Sequence, residues 1–197
     1  MLKLPTSTKL NKQLPKKAIY AKFNLKPTAR EKFDADISKI SIINEVSSVT
    51  TTIAKGNSIE SFFVLLVLLK HEKFDEKNIV LLSKLIEQRM LFVLQCSGRA
   101  KLAVFHGKLH QTDWMPTDGL QIELQGLNFD IVWENIVVQI SGVAIEQGHT
   151  LEEQLAIDEH RQKLEKQINA LERQARAEKQ LRRKFELVQE IKKLKRL

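Results

Sequence analysis

The sequence predicts an α+β protein in which helices pack on a mixed, mostly antiparallel sheet, followed by a C-terminal antiparallel helical hairpin or coiled coil. Strand-type and helix-type apolar patterns alternate between residues 28 and 140, and the apolar run Phe62–Leu69 lies between turn-forming segments. Residues 150–197 contain neither glycine nor proline, as is typical of long helices. These observations predict three segments: a basic extended arm (1–26), an α+β globular domain (27–148) and a basic helical tail (149–197).

The first segment is predicted to be extended because Pro5 and Pro15 disfavour helix in the residues that precede them. Its apolar residues are too frequent for a free linker, so we expect the arm to lie on a surface of its own domain or of a partner. The candidates for docking a protein partner are Leu4, Leu10, Leu14, Tyr20 and Phe23.

Three helices are predicted in the globular domain. Thr28 and Glu31 have the spacing of a capping box, in which two side chains satisfy free N–H groups of the first turn. Asp75 is predicted to cap the second helix, and Asn128 or Asp130 the third. Apolar residues three and four apart then give each helix a face for the core.

The strands are predicted from alternating or β-branched apolar runs. Phe62–Leu69 is expected to be a central strand covered on both faces, and Ser97-Gly98-Arg99 to be a hairpin turn. The other predicted strands are Ile40–Val49, Thr50–Ile53, Met90–Gln95, Lys101–Phe105, Leu109–Trp114 and Leu120–Leu124.

The tail carries two apolar stripes that are out of register with each other. A heptad seam is formed by Ile157, Leu164, Ile168, Leu171 and Ala175, and the second stripe by Leu181, Phe185, Val188, Ile191 and Leu194. This pattern predicts two helices that fold back on each other, with a turn near residues 176–180. The alternative is one long helix that dimerises in parallel.

Net charge is +8, and it is unevenly distributed. Residues 1–30 and 161–197 each carry +8, whereas residues 31–160 carry −8. Clustered cations attract polyanions, so DNA or RNA is a predicted partner, although basic ends could instead aid solubility or dock on the acidic body. The candidate nucleic-acid-binding residues are Arg173, Arg176, Lys179, Arg182, Arg183 and Lys184 in the tail and Lys9, Lys12, Lys16 and Lys17 in the arm.

No catalytic, metal or cofactor site is predicted. The predicted order helix, strand, strand, strand, helix, strand between Thr28 and Gln95 is also the core order of restriction-endonuclease-like folds. Those enzymes need an Asp on one strand and an acid-x-Lys on the next to hold a metal ion, and Phe62–Leu69 contains no acid. We therefore expect no enzyme; the alternative is a degenerate or cryptic nuclease of the PD-(D/E)XK type.

Composition predicts a soluble, cytoplasmic protein. Cys96 is the single cysteine, so a disulfide within the chain is excluded. The longest apolar run is Phe62–Leu69, far shorter than the roughly 20 residues that cross a membrane.

Several phrases resemble a known bacterial family. They are Leu4-Pro5-Thr6-Ser7-Thr8 with Leu14-Pro15-Lys16-Lys17 in the arm, Gly126-Leu127-Asn128 with Trp133-Glu134-Asn135, and Leu151-Glu152-Glu153-Gln154 with Phe185-Glu186-Leu187-Val188 in the tail. The chain resembles the family called domain of unknown function 4391, whose members tend to lie beside DNA methyltransferase and helicase components of restriction or phage-defence cassettes.

The resemblance supplies the context, and with no catalytic site predicted we expect a non-enzymatic accessory or adaptor subunit of a DNA-modification, helicase or phage-defence system. This subunit would bind a protein partner and could also bind nucleic acid through its basic ends. Its protein partner would be a methyltransferase or helicase component, and the resemblance supplies no catalytic residues. The alternative to this function is a structural module that forms a homodimer through the tail.

Overall fold

The computed structural model describes residues 2–195 and divides the chain into two compact units, Met1–Gly142 and Val143–Leu197. The first unit is built on one seven-stranded sheet. Its strands are β1 (Lys9–Gln13), β2 (Ile37–Ser47), β3 (Ser61–Leu69), β4 (Arg89–Cys96), β5 (Arg99–His106), β6 (Lys108–Gln111) and β7 (Met115–Pro116).

The strands lie in the order β1-β2-β3-β4-β5-β6, and β7 pairs with β5. Every pairing is antiparallel except that between β3 and β4. The predicted mixed, mostly antiparallel sheet with packed helices is therefore confirmed.

Six α-helices accompany the sheet in the described residues. Four belong to the first unit and two to the second: α1 (Lys16–Lys22), α2 (Pro27–Asp36), α3 (Glu76–Leu82), α4 (Phe129–Ser141), α5 (Leu151–Ala177) and α6 (Leu181–Leu194). Short 3₁₀ turns lie at Thr6–Thr8 and Thr117–Gly119.

Helices cover both faces of the central strand β3, as its continuous apolar sequence predicts. On one face, Leu65 and Val67 belong to a core cluster with Phe33 of α2 and Ile79 of α3. On the other face, the ring of Phe62 lies 5.6 Å from that of Trp133 in α4 and 6.2 Å from that of Phe129.

Three local predictions are confirmed. Asp75 caps α3 by accepting a hydrogen bond from the N–H of Lys77, and Asn128 caps α4 by accepting one from the N–H of Ile131. Ser97 and Gly98 join β4 to β5 with φ values of 48° and 79°. Positive φ at both turn residues suits the right-handed twist of a hairpin.

Three other local predictions are wrong. Thr28 and Glu31 form no capping box, because α2 begins at Pro27 and has no side-chain cap. Thr28 is therefore the second helical residue and not the N-cap, and Pro27 suits the first helical position because it has no N–H and its φ is already helical. Leu120–Leu124 is not a strand, and only Gln121 makes an isolated bridge, to Leu2.

Thr50–Ile53 is also not a strand but a turn and bend. The hydroxyl of Thr50 accepts a hydrogen bond from the N–H of Ser47 and donates to the carbonyl of Glu45. The hydroxyl of Thr51 donates to the carbonyl of Ser47. Side chains that bond the local backbone in this way compete with a strand ladder.

The observed order between residues 27 and 96 is therefore helix, strand, strand, helix, strand. It has one strand fewer than the restriction-endonuclease-like order.

The segment predicted to be an extended arm is folded into the first unit. Lys9–Gln13 forms the edge strand β1, paired with β2, and residues 16–22 form α1. Ile19 of α1 is buried in the core cluster.

The second unit is the predicted antiparallel hairpin. Helix α5 has 27 residues, α6 has 14, and residues 178–180 join them. A capping box starts α5: the Thr150 hydroxyl accepts from the N–H of Glu153, and the Glu153 carboxylate accepts from the N–H of Thr150. The break in register between the two apolar stripes thus marks a real helix boundary.

The carboxylate of Asp130 fixes the loop that leads into β3. It accepts backbone hydrogen bonds from Asn57 at 2.6 Å, Ser58 at 3.2 Å and Ile59 at 2.8 Å. A Cβ atom at Gly56 would lie 2.4 Å from the Asp130 Oδ1, so a glycine lets the loop close on the carboxylate.

We predict that Asp130→Ala lowers the free energy of unfolding of the first unit by about 1–2 kcal/mol, because three N–H groups would be left without their charged acceptor. Urea denaturation followed by tryptophan fluorescence measures this, since both Trp114 and Trp133 lie in that unit. Glu134→Ala, at an exposed position one turn later in α4, is the control and should change stability by less than about 0.5 kcal/mol. Equal effects of the two substitutions would refute the role given to Asp130.

Candidate functional site

The predicted tail cations cluster around the bend of the hairpin. Residues 173–184, named here the cation tip, contain six Lys or Arg residues and one acid, Glu178. Two of the cations lie in the last turns of α5, one in the bend and three in the first turn of α6: Arg173, Arg176, Lys179, Arg182, Arg183 and Lys184. All six are exposed, so the hairpin brings together the whole predicted set.

Ion pairs within the hairpin neutralise little of this charge. The Nε of Arg183 lies 3.6 Å from a carboxylate oxygen of Glu178, and the Nε of Arg182 lies 3.5 Å from one of Glu186. Even so, the side chains of Arg182 and Arg183 are 95% and 70% exposed. Exposed pairs of this kind contribute little energy, and both guanidinium groups stay accessible.

The start of α6 is electrostatically unusual. A helix N-terminus carries partial positive charge and favours acids in its first turn. The first turn of α6 contains no acid, and Gln180 provides no side-chain cap. Arg182, Arg183 and Lys184 therefore add like charge to a positive helix end, an arrangement that costs local stability and favours a bound anion.

The arm lysines are not equivalent to one another. Lys9 and Lys12 lie on the exposed edge strand β1, and Lys17 is exposed on α1. Lys16 instead bonds within the first unit: its Nζ lies 2.6 Å from Oδ1 of Asp34 and also donates to the carbonyl of Ile37. Lys16 is therefore engaged in holding α1 to α2.

The hydroxyl of Tyr20 donates to the same Asp34 oxygen at 2.6 Å. Partial burial tends to raise the pKa of Asp34, but the hydrogen bonds from Lys16 and Tyr20 outweigh it and hold this pKa below its ordinary value. The pKa of Tyr20 is raised by burial and by its hydrogen bond to Asp34.

Most residues predicted to dock a partner pack on the protein's own core. Leu14, Tyr20 and Phe23 lie against the core cluster, and the rings of Tyr20 and Phe33 meet edge to face at 5.8 Å. Leu4 is half-buried, and Leu10 is 41% exposed. Among the predicted docking residues, Leu10 is thus the most exposed.

One cationic site was missed by sequence reasoning. The Nζ of Lys101 on β5 lies 4.9 Å from the ring centre of Phe74 and 5.1 Å from that of Trp114. Burial lowers the pKa of Lys101, although nearby carboxylates such as that of Glu76 act in the opposite direction. The two rings come from distant parts of the sequence, so no local pattern could reveal this site.

The described residues, 2–195, contain no cluster of three or more His, Cys, Asp or Glu side chains that could hold a metal ion. Two isolated acids lie near the ends of β2 and β3: Glu60 pairs with Lys55 at 3.0 Å, and Glu45 lies on β2 opposite Phe63.

Over that same part of the chain, none of the helices combines the length and the apolar character needed to cross a membrane.

The arm phrase, the α4 segment and the hairpin, which carry the family resemblance, thus each occupy a defined place in the fold. The family model described as Domain of unknown function (DUF4391) matches residues 2–197, essentially the whole chain. The chain belongs to this family. No curated protein and no solved structure matches it.

We predict that the Asp34 interactions make the stability of this DUF4391 protein depend on pH. Because the pKa of Asp34 is lower in the folded than in the unfolded state, its contribution is present above the unfolded pKa of about 3.9 and is lost as pH falls through the folded pKa. The difference in unfolding free energy between wild type and Asp34→Asn should therefore be largest near neutral pH and shrink towards zero at acid pH.

Urea denaturation of both proteins across this pH range tests the expectation, with Glu31→Gln on the exposed face of α2 as the control. A difference between wild type and Asp34→Asn that stays constant with pH would contradict it.

Proposed function

We propose that this protein is a non-enzymatic accessory subunit that binds nucleic acid through the cation tip and also binds a protein partner. The observation that carries the proposal is the cation tip itself: residues 173–184 contain six exposed cations and only one acid. Phosphate contact depends on charge count and accessibility rather than on base reading, and the tip provides both.

The position of the charge supports this proposal over a general solubilising role. A helix that only aids solubility is more stable with acids in its first turn and bases in its last turn. The first turn of α6 has three bases in succession. These bases lower the stability of the isolated hairpin and raise it when a polyanion is bound.

The proposed setting is a bacterial DNA-modification, helicase or phage-defence system, with a methyltransferase or helicase component as the partner. It rests on the association with restriction and phage-defence cassettes that the family resemblance implies. A degenerate nuclease has less support, because the strand order lacks one strand of that core and β3 carries no acid.

We predict that the triple substitution Arg182→Gln, Arg183→Gln and Lys184→Gln weakens nucleic-acid binding and its salt dependence. On duplex DNA, the slope of log K against log salt should fall by about 0.9 for each phosphate that the variant no longer neutralises. Fluorescence anisotropy with a labelled duplex, and with one of its strands alone, measures this slope.

The matched control is Arg161→Gln, Lys163→Gln and Lys166→Gln, which removes the same charge from the middle of α5. Two of these cations pair on their own helix: Lys163 lies 2.6 Å from Glu159, and Arg161 lies 3.9 Å from Asp158. The control should keep the wild-type slope. If the salt slope fell equally in the two variants, the effect would come from net charge and not from the cation tip. No binding by the wild type at low salt would refute the proposal.

A further inference from the structure

Helix α6 lies beside only the C-terminal part of α5. Lys195 near the end of α6 bonds Glu172 of α5 at 2.8 Å, and Arg183 near its start pairs with Glu178. With 27 and 14 residues, the helices are about 40 Å and 21 Å long at ~1.5 Å per residue. Residues 151–164 of α5 therefore extend beyond the reach of α6.

The apolar surface of α6 is wider than its contact with α5. Ile191 is 8% exposed, whereas Leu181 is 85% and Phe185 64% exposed. Leu181, Phe185 and Val188 are spaced by four and three residues, so they share one face of the helix. Val188 also lines an open groove with Ala175 and Ile191. The part of this face formed by Leu181 and Phe185 is free to accept another helix.

The first half of α5 presents a complementary apolar stripe. Ile157 is 37% exposed and Leu164 is half-buried, and both continue the stripe that α6 meets further along the helix. A pair of helices joined by residues 178–180 cannot cover this region, because the short α6 runs back along α5 and its end lies beside Glu172.

Charge divides between the same two surfaces. Residues 151–164 contain four acids and two bases, whereas residues 181–195 contain six bases and two acids. Opposite charges beside matching apolar stripes favour contact between these surfaces, and like charges disfavour contact of either surface with itself.

We propose that two copies of this chain associate through their hairpins in an antiparallel arrangement, with α6 of each copy packed along the first half of α5 of the other. Residues 151–164 of α5, which extend beyond α6, are as many as the 14 residues of α6. Such a contact is isologous: each copy supplies one acidic and one basic surface, and a two-fold axis near the middle of α5 closes the dimer.

The arrangement fixes which residues meet. Because α6 is antiparallel to its own α5 and the two α5 helices are antiparallel, α6 runs parallel to the α5 of the partner subunit. Phe185 then lies against Ile157 of the partner subunit. The two cation tips stand at opposite ends of the α5 pair. This inference does not rest on nucleic-acid binding, and its test contains no nucleic acid.

The first test is the mass of the full-length protein in solution, measured by sedimentation equilibrium. We expect a dimer, and we expect Leu181→Gln with Phe185→Gln to raise its dissociation constant by about 100-fold or more, since four large apolar side chains per dimer are replaced by polar ones. Circular dichroism should show unchanged helix content, because both residues are exposed in the hairpin.

The matched control is Val49→Gln with Leu127→Gln, which alters two side chains that are 92% and 85% exposed in the first unit. It should leave the dimer intact. A monomeric wild type, or a dimer equally strong in the Leu181→Gln, Phe185→Gln variant, would overturn the proposal.

The second test is disulfide trapping, with the native buried Cys96 retained in every protein. Chains carrying Ile157→Cys, mixed with chains carrying Phe185→Cys, should form the mixed disulfide dimer on mild oxidation. Disulfides formed only between two Ile157→Cys chains would indicate parallel α5 helices. That result, or the absence of any crosslink, would overturn the antiparallel arrangement.

Discussion

The parallel pairing of β3 with β4 is the constraint on which the first unit depends. Both strands are almost entirely apolar, so both faces of the sheet must be covered at this point. A parallel pair also needs a crossover, and α3 provides it while burying Ile79 and Leu82 on one face. On the other face α4 supplies Phe129 and Trp133, and Asp130 in its first turn fixes the loop that enters β3.

The second unit is built on a different principle. Its two helices bury few side chains completely: among the described residues of the unit, the buried apolar ones are Leu151, Ala175 and Ile191. Tertiary packing supplies most helical stability in proteins, and a hairpin with so small a core gains from further packing. The cation tip and the uncovered faces of α5 and α6 are the surfaces at which a polyanion and another helix would supply it.

Sequence predicted the parts of the fold that are encoded over a few residues. The apolar run of β3, the caps Asp75 and Asn128, and the two stripes of the tail all act within one element. The failures arose where a rare local arrangement replaced the usual one. The hydroxyls of Thr50 and Thr51 bond the backbone of a turn, although their β-branched side chains favour a strand.

The arm shows why long-range contacts escape this kind of reasoning. Lys16 is one of several lysines in a proline-containing segment, and nothing near it reveals that Asp34, 18 residues later, will hold it. The cation tip could be predicted because its six cations lie within 12 residues, and because the break between the two apolar stripes is enough to locate the bend. The Lys101 site could not be predicted, since its two aromatic rings come from distant residues, Phe74 before Lys101 and Trp114 after it in the sequence.

We propose that the hairpin bend, rather than the arm, contacts phosphate, and lysine footprinting distinguishes the two most directly. The full-length protein would be acetylated with and without a saturating DNA oligonucleotide, and each lysine scored by mass spectrometry. We expect DNA to protect Lys179 and Lys184 and to leave Lys9, Lys12 and Lys17 as reactive as before. Protection confined to the arm lysines, with Lys179 and Lys184 unchanged, would contradict the assignment.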